Sequence, residues 1–257
     1  MALEYDIQKP GLVPNLLDAI ITLFAGDNVL VTPQKRDELR RELAHLKFLP
    51  EKDMEVLWIL LHELVDDDWL LGEEVAILDM ACGRCQEVFV LSSLLASRMS
   101  GLKPESVRFF GSDVREGVLM RGKERCAQIC RFFEQQIGGR YSPFRYRFRA
   151  GDATAPDLWA VLPDQFDVAF FRHQNMYHGM DIWTKIFDHA VQRLKPEGRL
   201  IITSYYDREH TIAINVLKSL GMELMKTSMN PRSRPLVAEG KSIDRHIAMF
   251  RNRDTLV

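Results

Sequence analysis

Acidic side chains stand where short apolar runs end. Ile77-Leu78-Asp79 leads into Met80-Ala81-Cys82-Gly83-Arg84-Cys85, Gly111-Ser112 is followed by Asp113 and Val114, and Ala150-Gly151 by Asp152 and Ala153. Small residues after an acid let a ligand approach the backbone, and a helix that starts there can receive an anionic group. An acid at the end of a second strand suits hydrogen bonding to a pair of ribose hydroxyls. A fourth apolar run ends in Phe171-Arg172-His173-Gln174-Asn175 and is followed by Tyr177 and His178. His173 and His178 are candidate general bases, because an unperturbed imidazole titrates near neutral pH, and Tyr177 lies between them. Any one of these residues has an ordinary alternative: a lone acid after an apolar run caps a helix or turn more often than it binds sugar, and histidines are commonly structural.

The four cysteines fall as Cys82 with Cys85 and Cys126 with Cys130. The first spacing is metal-like, and the second is one helical turn, so a four-thiolate zinc site can be drawn. The first pair sits in the loop assigned to a ligand and the second fits buried helix positions. No metal is expected, and in a reducing compartment the sulfurs are expected to be thiols.

The elements needed to bring these residues together are legible from periodicity. Short apolar runs separated by helix-competent stretches predict βαβ units and a parallel sheet, with strands at Val75–Asp79, Val107–Ser112, Tyr146–Ala150, Phe166–Phe171 and Arg199–Ser204. Helices are predicted over Gln86–Arg98 and Asp181–Leu194. Met222–Ser228 and Ile243–Phe250 leave no room for a crossover helix, so they are expected to pair antiparallel. Ahead of the sheet, three helices are expected: Pro14–Ala25 with Gly26 as its stop, a second capped by Thr32 with apolar Leu39, Leu43 and Leu46, and a third after Pro50 with Met54, Leu57, Leu61 and Leu64 inward. The acidic run Asp66–Asp68 reads as a solvated loop. The predicted fold class is α/β, a doubly wound, mostly parallel sheet with an antiparallel C-terminal strand, preceded by an N-terminal helical segment. Residues 1–70 form that segment, a candidate lid, and 71–257 the Rossmann-like domain.

Composition agrees with a globular protein able to bury a full core. Of 257 residues 46% are hydrophobic and 27% charged, and 34 basic against 36 acidic residues give a net charge of −2. That balance lacks the basic footprint of a nucleic-acid binder. Arg145, Arg147 and Arg149 alternate along the third strand, with Arg140 near, and a solvated face explains them better than an anion site. Met1–Pro10 carries charge and no long apolar run, so it does not read as a secretory signal, and no stretch is long enough to span a bilayer. A cytoplasmic protein is expected.

The segment Leu78 to Cys85 resembles the first motif of the class I S-adenosylmethionine-dependent methyltransferases, an acid followed by a small, often glycine-rich loop. The resemblance runs from about Glu74 to Arg251 and includes Leu194-Lys195-Pro196-Glu197-Gly198-Arg199, similar to the Leu-Lys-Pro-Gly-Gly turn often found before the fifth strand. It implies that Asp79, Ala81, Cys82 and Gly83 lie along the methionine part of the cofactor S-adenosyl-L-methionine, with Asp113 and Val114 at the ribose. It also implies Asp152 at the adenine amine with Ala153 offering backbone, and Arg172 in the same set. The departure is Cys85, where a glycine is usual. A nicotinamide-binding domain shares the acid after strand two but calls for Gly-x-Gly-x-x-Gly after strand one, and this loop has one glycine.

The expected activity is methyl transfer to an oxygen or nitrogen nucleophile, with the acceptor entering where the fourth and fifth strands end, among Arg172, His173, Asn175, Tyr177, His178, Tyr205, Tyr206 and His210. A loose similarity to the chemotaxis receptor glutamate methyltransferases implies a protein carboxylate as acceptor, but the chain between strands two and four lacks room for that family's extra β-subdomain. A small-molecule acceptor is therefore the expectation. A protein carboxylate and a non-catalytic cofactor-binding protein are the alternatives. Nucleic acid is disfavoured by charge and by the absence of an Asn/Asp-Pro-Pro-Tyr/Phe motif after strand four.

Overall fold

A computed structural model describes residues 13–25, 31–45, 51–66, 69, 71–100, 106–137 and 143–253. Gly26, Leu46, Pro50, Asp67, Asp68 and Arg140, named above, lie outside the described residues. The chain starts with α1 (Leu16–Ala25), α2 (Pro33–His45) and α3 (Lys52–Leu64), and continues β1 (Val75–Met80), α4 (Val88–Ala96), β2 (Val107–Asp113), α5 (Glu116–Ile137), β3 (Phe144–Ala150) and α6 (Pro156–Ala160). It then runs β4 (Phe166–Arg172), α7 (Met176–Gln192), β5 (Leu194–Ser204), α8 (Asp207–Ser219), β6 (Met222–Met229) and β7 (His246–Asn252). The strands form one sheet in the order β3-β2-β1-β4-β5-β7-β6. β1 pairs parallel with β2 and β4, and β7 runs antiparallel between β5 and β6.

Several expected boundaries move: β3 starts at Phe144, α4 covers only Val88–Ala96, and α7 starts at Met176 and ends at Gln192. β5 begins at Leu194, which pairs with Phe166, and the register jumps to Val168 opposite Arg199, so the Lys195–Gly198 turn is a bulge inside the strand rather than a lead-in. β7 begins at His246, not Ile243, because Asp244 leaves the sheet at φ 47°.

Both faces of the sheet are covered, as a parallel sheet requires. On one face Val75, Ile77, Val107, Phe109, Val168, Phe170, Ile201, Ile247 and Met249 pack under α1, α3, α4 and α5. On the other, Leu78, Ala169, Phe171, Leu200, Ile202 and Phe250 meet Trp159, Ile186, Phe187, Ala213 and Leu217 from α6, α7 and α8. Each large apolar side chain so buried contributes about 1.5–3 kcal/mol. Every residue of α4 is buried. A helix apolar all round needs cover on its outer side. The N-terminal helices supply it: α1 lies against α4 and α5, with Phe24 stacked on Phe133 at 4.3 Å, and α3 lies against α4, β6 and β7. Side-chain caps start the first two helices, where the Asn15 carboxamide oxygen accepts the Leu17 N–H at 3.0 Å and the Thr32 hydroxyl accepts that of Lys35 at 3.2 Å.

Candidate functional site

The parallel strands β1, β2, β3 and β4 all end at one edge, and the loop that leaves β1 crosses it. Ala81, Gly83 and Cys85 take φ of 57°, 56° and 49°, so alternate residues of this loop are left-handed. A side chain in that conformation costs about 1–2 kcal/mol relative to glycine, and such strain persists only where surrounding contacts enforce it. Here they do. The Cys82 N–H donates to the Ser112 carbonyl at 2.9 Å, and the Cys85 N–H to the Cys82 carbonyl at 2.8 Å, closing a turn. The Cys85 thiol is buried against Gly111, where an added Cβ would lie 3.1 Å from Sγ and 2.7 Å from the Phe148 ring. Cys85 thus adopts the left-handed backbone geometry that glycine takes most readily. At Gly122 an added Cβ would fall 2.4 Å from the Arg84 carbonyl oxygen, so α5 seats its backbone directly on the loop.

Asp113 closes the other side. Its Oδ2 accepts the Gly83 N–H at 2.8 Å and its Oδ1 the Arg115 N–H at 2.8 Å, while the Arg115 side chain adds Nε at 3.0 Å. Burial raises the Asp113 carboxyl, but Arg115 and the Gly83 amide outweigh it and hold the group below its usual range, so it is ionised. Val114 beside it is exposed. Asp152, at the end of β3, accepts both the N–H and the hydroxyl of Thr154 at 2.8 Å, and the Ala153 carbonyl accepts the Trp159 indole N–H at 2.8 Å, which fixes that turn.

Beneath the loop lies a buried cluster of charge. Asp79 is fully buried, and its carboxyl meets that of Glu87. Glu87 is buried beside it, 3.9 Å from the Arg172 guanidinium. Arg172 reaches Asp244 through Nε–Oδ1 at 3.0 Å and Nη2–Oδ2 at 2.7 Å. Asp244 also accepts the Thr203 hydroxyl at 2.7 Å. Burial pushes the Asp79 carboxyl well up, and the neighbouring Glu87 adds to it; burial likewise raises Glu87, against the pull of Arg172. Burial would raise Asp244 too, but Arg172 and His173 hold it well below the carboxylate range.

His173 stands in this cluster with φ 63°. Its Nε2 lies 2.8 Å from Asp244 Oδ1 and 3.1 Å from the Asp244 backbone nitrogen, and its ring stacks on Tyr205 at 3.8 Å. Burial lowers its pKa, and Asp244 partly opposes this. Tyr177 and His178 are exposed on the first turn of α7, with Tyr177 edge-on to Tyr206 at 6.0 Å. His210 is elsewhere. It is buried between the Ser204 and Thr227 hydroxyls, 3.2 and 2.8 Å away, and burial lowers its pKa to about 3, so it is a core histidine rather than part of the acceptor face.

The reading from sequence missed Glu87, Asp244 and Glu209. Glu209 is buried and accepts the Met176 N–H at 3.1 Å, tying the start of α7 to α8. Asp244 was hidden because Ile243–Phe250 reads as continuous strand; Glu87 sat inside an expected helix. Among the described residues no group of three or more His, Cys, Asp or Glu side chains is arranged to hold a metal ion, and no helix is long and apolar enough to cross a membrane.

No protein-family model matches the chain, and no curated protein matches it. Solved structures do. An S-adenosylmethionine-dependent methyltransferase from Clostridium acetobutylicum ATCC 824 is similar over 83% of this chain and 99% of its own, with a TM-score of 0.53 and 9% identity. The PH0226 protein from Pyrococcus horikoshii OT3 is similar over 78% of this chain and 89% of its own, with a TM-score of 0.52 and 15% identity. At such identities the likeness is one of fold. The chain has the Rossmann-like α/β fold seen in S-adenosylmethionine-dependent class I methyltransferases.

Proposed function

We propose that the chain binds S-adenosyl-L-methionine and transfers its methyl group to an oxygen or nitrogen nucleophile of a small molecule. The observation that carries the reading is the cluster of acids under the β1 loop: Asp79, Glu87 and Asp244 are buried with the Arg172 guanidinium among them, and burial raises the Asp79 and Glu87 carboxyls above their usual range. Carboxyls whose pKa burial has raised are drawn down again, releasing protons, when a cationic ligand binds beside them. S-adenosyl-L-methionine carries an ammonium and a sulfonium, and supplies an activated methyl group. The residues that would hold it are Asp79, Ala81, Cys82 and Gly83 for the amino-acid part, Asp113 for the ribose, and Asp152 with Ala153 for the adenine. Cys85 retains the left-handed backbone of a glycine, so the loop keeps the shape its motif requires.

The acceptor side is built by His173, Tyr205, Tyr177 and Tyr206 at the ends of β4 and β5. Beside it the connection between β6 and β7 forms its own hollow of about 410 Å³, lined by that connection and the end of β6 alone, including Asn230, Ser233, Lys241 and Ser242. Lys241 holds its ammonium 4.3 Å over the Tyr205 ring. That cavity is of small-molecule size. The work asked of the protein is alignment and, for a hydroxyl or ammonium nucleophile, removal of a proton. His178, exposed on the first turn of α7, is the candidate base, since the Nε2 of His173 is engaged by Asp244. Incubation with methyl-labelled S-adenosyl-L-methionine and a metabolite extract, read by mass spectrometry, tests the proposal: a labelled small molecule is expected. Label found only on protein points to the carboxylate alternative, and cofactor binding without transfer to any species points to a binding protein.

A further inference from the structure

Cys82 and Cys85 flank the most tightly held turn of the loop. The Cys85 N–H donates to the Cys82 carbonyl at 2.8 Å, making residues 82–85 a hydrogen-bonded β-turn. Such a turn brings its first and last Cα within about 7 Å, the range in which a disulfide can close without moving backbone. The two sulfurs lie 2.7 Å apart, both buried, with Leu119, Phe148 and Ala150 packed around them. Sulfurs bridged by a tetrahedral zinc at about 2.3 Å per bond sit further apart than this. The turn is held from outside as well, by Ser112 on Cys82 and by Gly111 and Gly122 packed against Cys85 and Arg84.

We propose that Cys82 and Cys85 are a dithiol–disulfide couple, a modification site that staples the left-handed turn of the β1 loop, with a small-molecule disulfide as the oxidant. The thiolate of one cysteine attacks the external disulfide, forming a mixed disulfide and releasing one thiol. The second cysteine then displaces the remaining half as its thiol. The chain loses two electrons and two protons, and the external disulfide becomes two thiols. Exchange is slow, because burial pushes the Cys85 thiol up to about 11 and raises Cys82 as well, leaving little thiolate. Once one sulfur is captured its partner is already in place, so the intramolecular step is favoured over a stable mixed disulfide. Capture of the first sulfur requires the loop to open to the oxidant, and the closing step then needs little movement of the turn.

Trypsin separates the two cysteines at Arg84, giving peptides 53–84 and 85–98, while Cys126 and Cys130 fall together in 126–131. The full-length protein is equilibrated with 2-hydroxyethyl disulfide, its remaining thiols are alkylated, and the digest is mapped without reduction. Peptide 53–84 joined to 85–98 is expected. Constraining so short a loop is expected to raise the Tm by roughly 5 °C over the reduced protein, a shift that the Cys82→Ser variant lacks. Recovery of the two peptides unlinked, a stable adduct on one cysteine, or a bond between 85–98 and 126–131 overturns the proposal. The covalent readout does not depend on cofactor binding, so it stands or falls apart from the proposed function.

Discussion

Arg172, the last residue of β4, and Asp244, two residues before β7, form a two-point ion pair at 3.0 and 2.7 Å although they are 72 positions apart in sequence. The pair pins the β6–β7 connection to the edge of the sheet where the candidate site lies. Asp244 is fully buried and the Arg172 side chain 10% exposed, so removing one partner strands the other. Asp244→Ala is expected to cost about 3–5 kcal/mol in denaturant unfolding. Because the folded carboxyl lies below its usual range, its contribution is present above the ordinary carboxylate pKa of about 4 and is lost as pH falls below it. The variant should therefore show a flatter loss of stability in acid than the unmutated protein.

Asp79 behaves in the opposite sense. Its folded pKa is raised, so in the window from about 4 upward to the folded value the unfolded chain releases a proton that the folded chain retains, and stability falls as pH rises. Asp79→Asn removes this liability. Unfolding measured at neutral pH is expected to show a more stable protein with less pH dependence, together with weaker cofactor binding. A variant less stable at neutral pH would show that the contact between the Asp79 and Glu87 carboxyls outweighs the cost of burying them.

Gly122 permits α5 to rest on the Arg84 carbonyl. Gly122→Ala forces the β1 loop outward and is expected to cost about 1–3 kcal/mol, with a loss of cofactor affinity. Gly117→Ala, on the same helix with nothing within 4 Å of the added carbon, is the control that should retain both.

The N-terminal helices cover α4, and α3 also reaches the rim of the site, where Asp53 pairs with Arg234 of the β6–β7 connection at 2.5 and 3.0 Å. We propose that this contact lets the segment shape the acceptor pocket. Asp53→Ala is then expected to raise the KM for the acceptor while leaving the cofactor Kd unchanged. Equal changes in both would place the contact at the cofactor instead.

Strand positions and the acids that end them were legible because each depends on a local pattern: an apolar run of fixed length, then Asp79, Asp113 or Asp152 at its end. The buried polarity was not. Asp244 belongs to the site only because a β4 side chain reaches it across the sheet edge, and nothing in Ser242-Ile243-Asp244-Arg245 announces that. Cys85 reads as a departure from the glycine of its motif, yet the compensation lies in Gly111, which leaves room for the thiol. His210 has the composition of a site residue and the environment of a core one, a difference set by the Ser204 and Thr227 hydroxyls on either side.

Calorimetric titration of S-adenosyl-L-methionine into the unmutated chain and into Asp113→Ala tests the central claim most directly. Saturable binding is expected for the unmutated chain, with protons released to the buffer as a cation draws down the raised carboxyls beneath the loop. Asp113→Ala should bind roughly 5- to 150-fold more weakly, equivalent to about 1–3 kcal/mol for a lost buried hydrogen-bonding group. Absence of binding by the unmutated chain, or equal binding by the variant, would contradict the account.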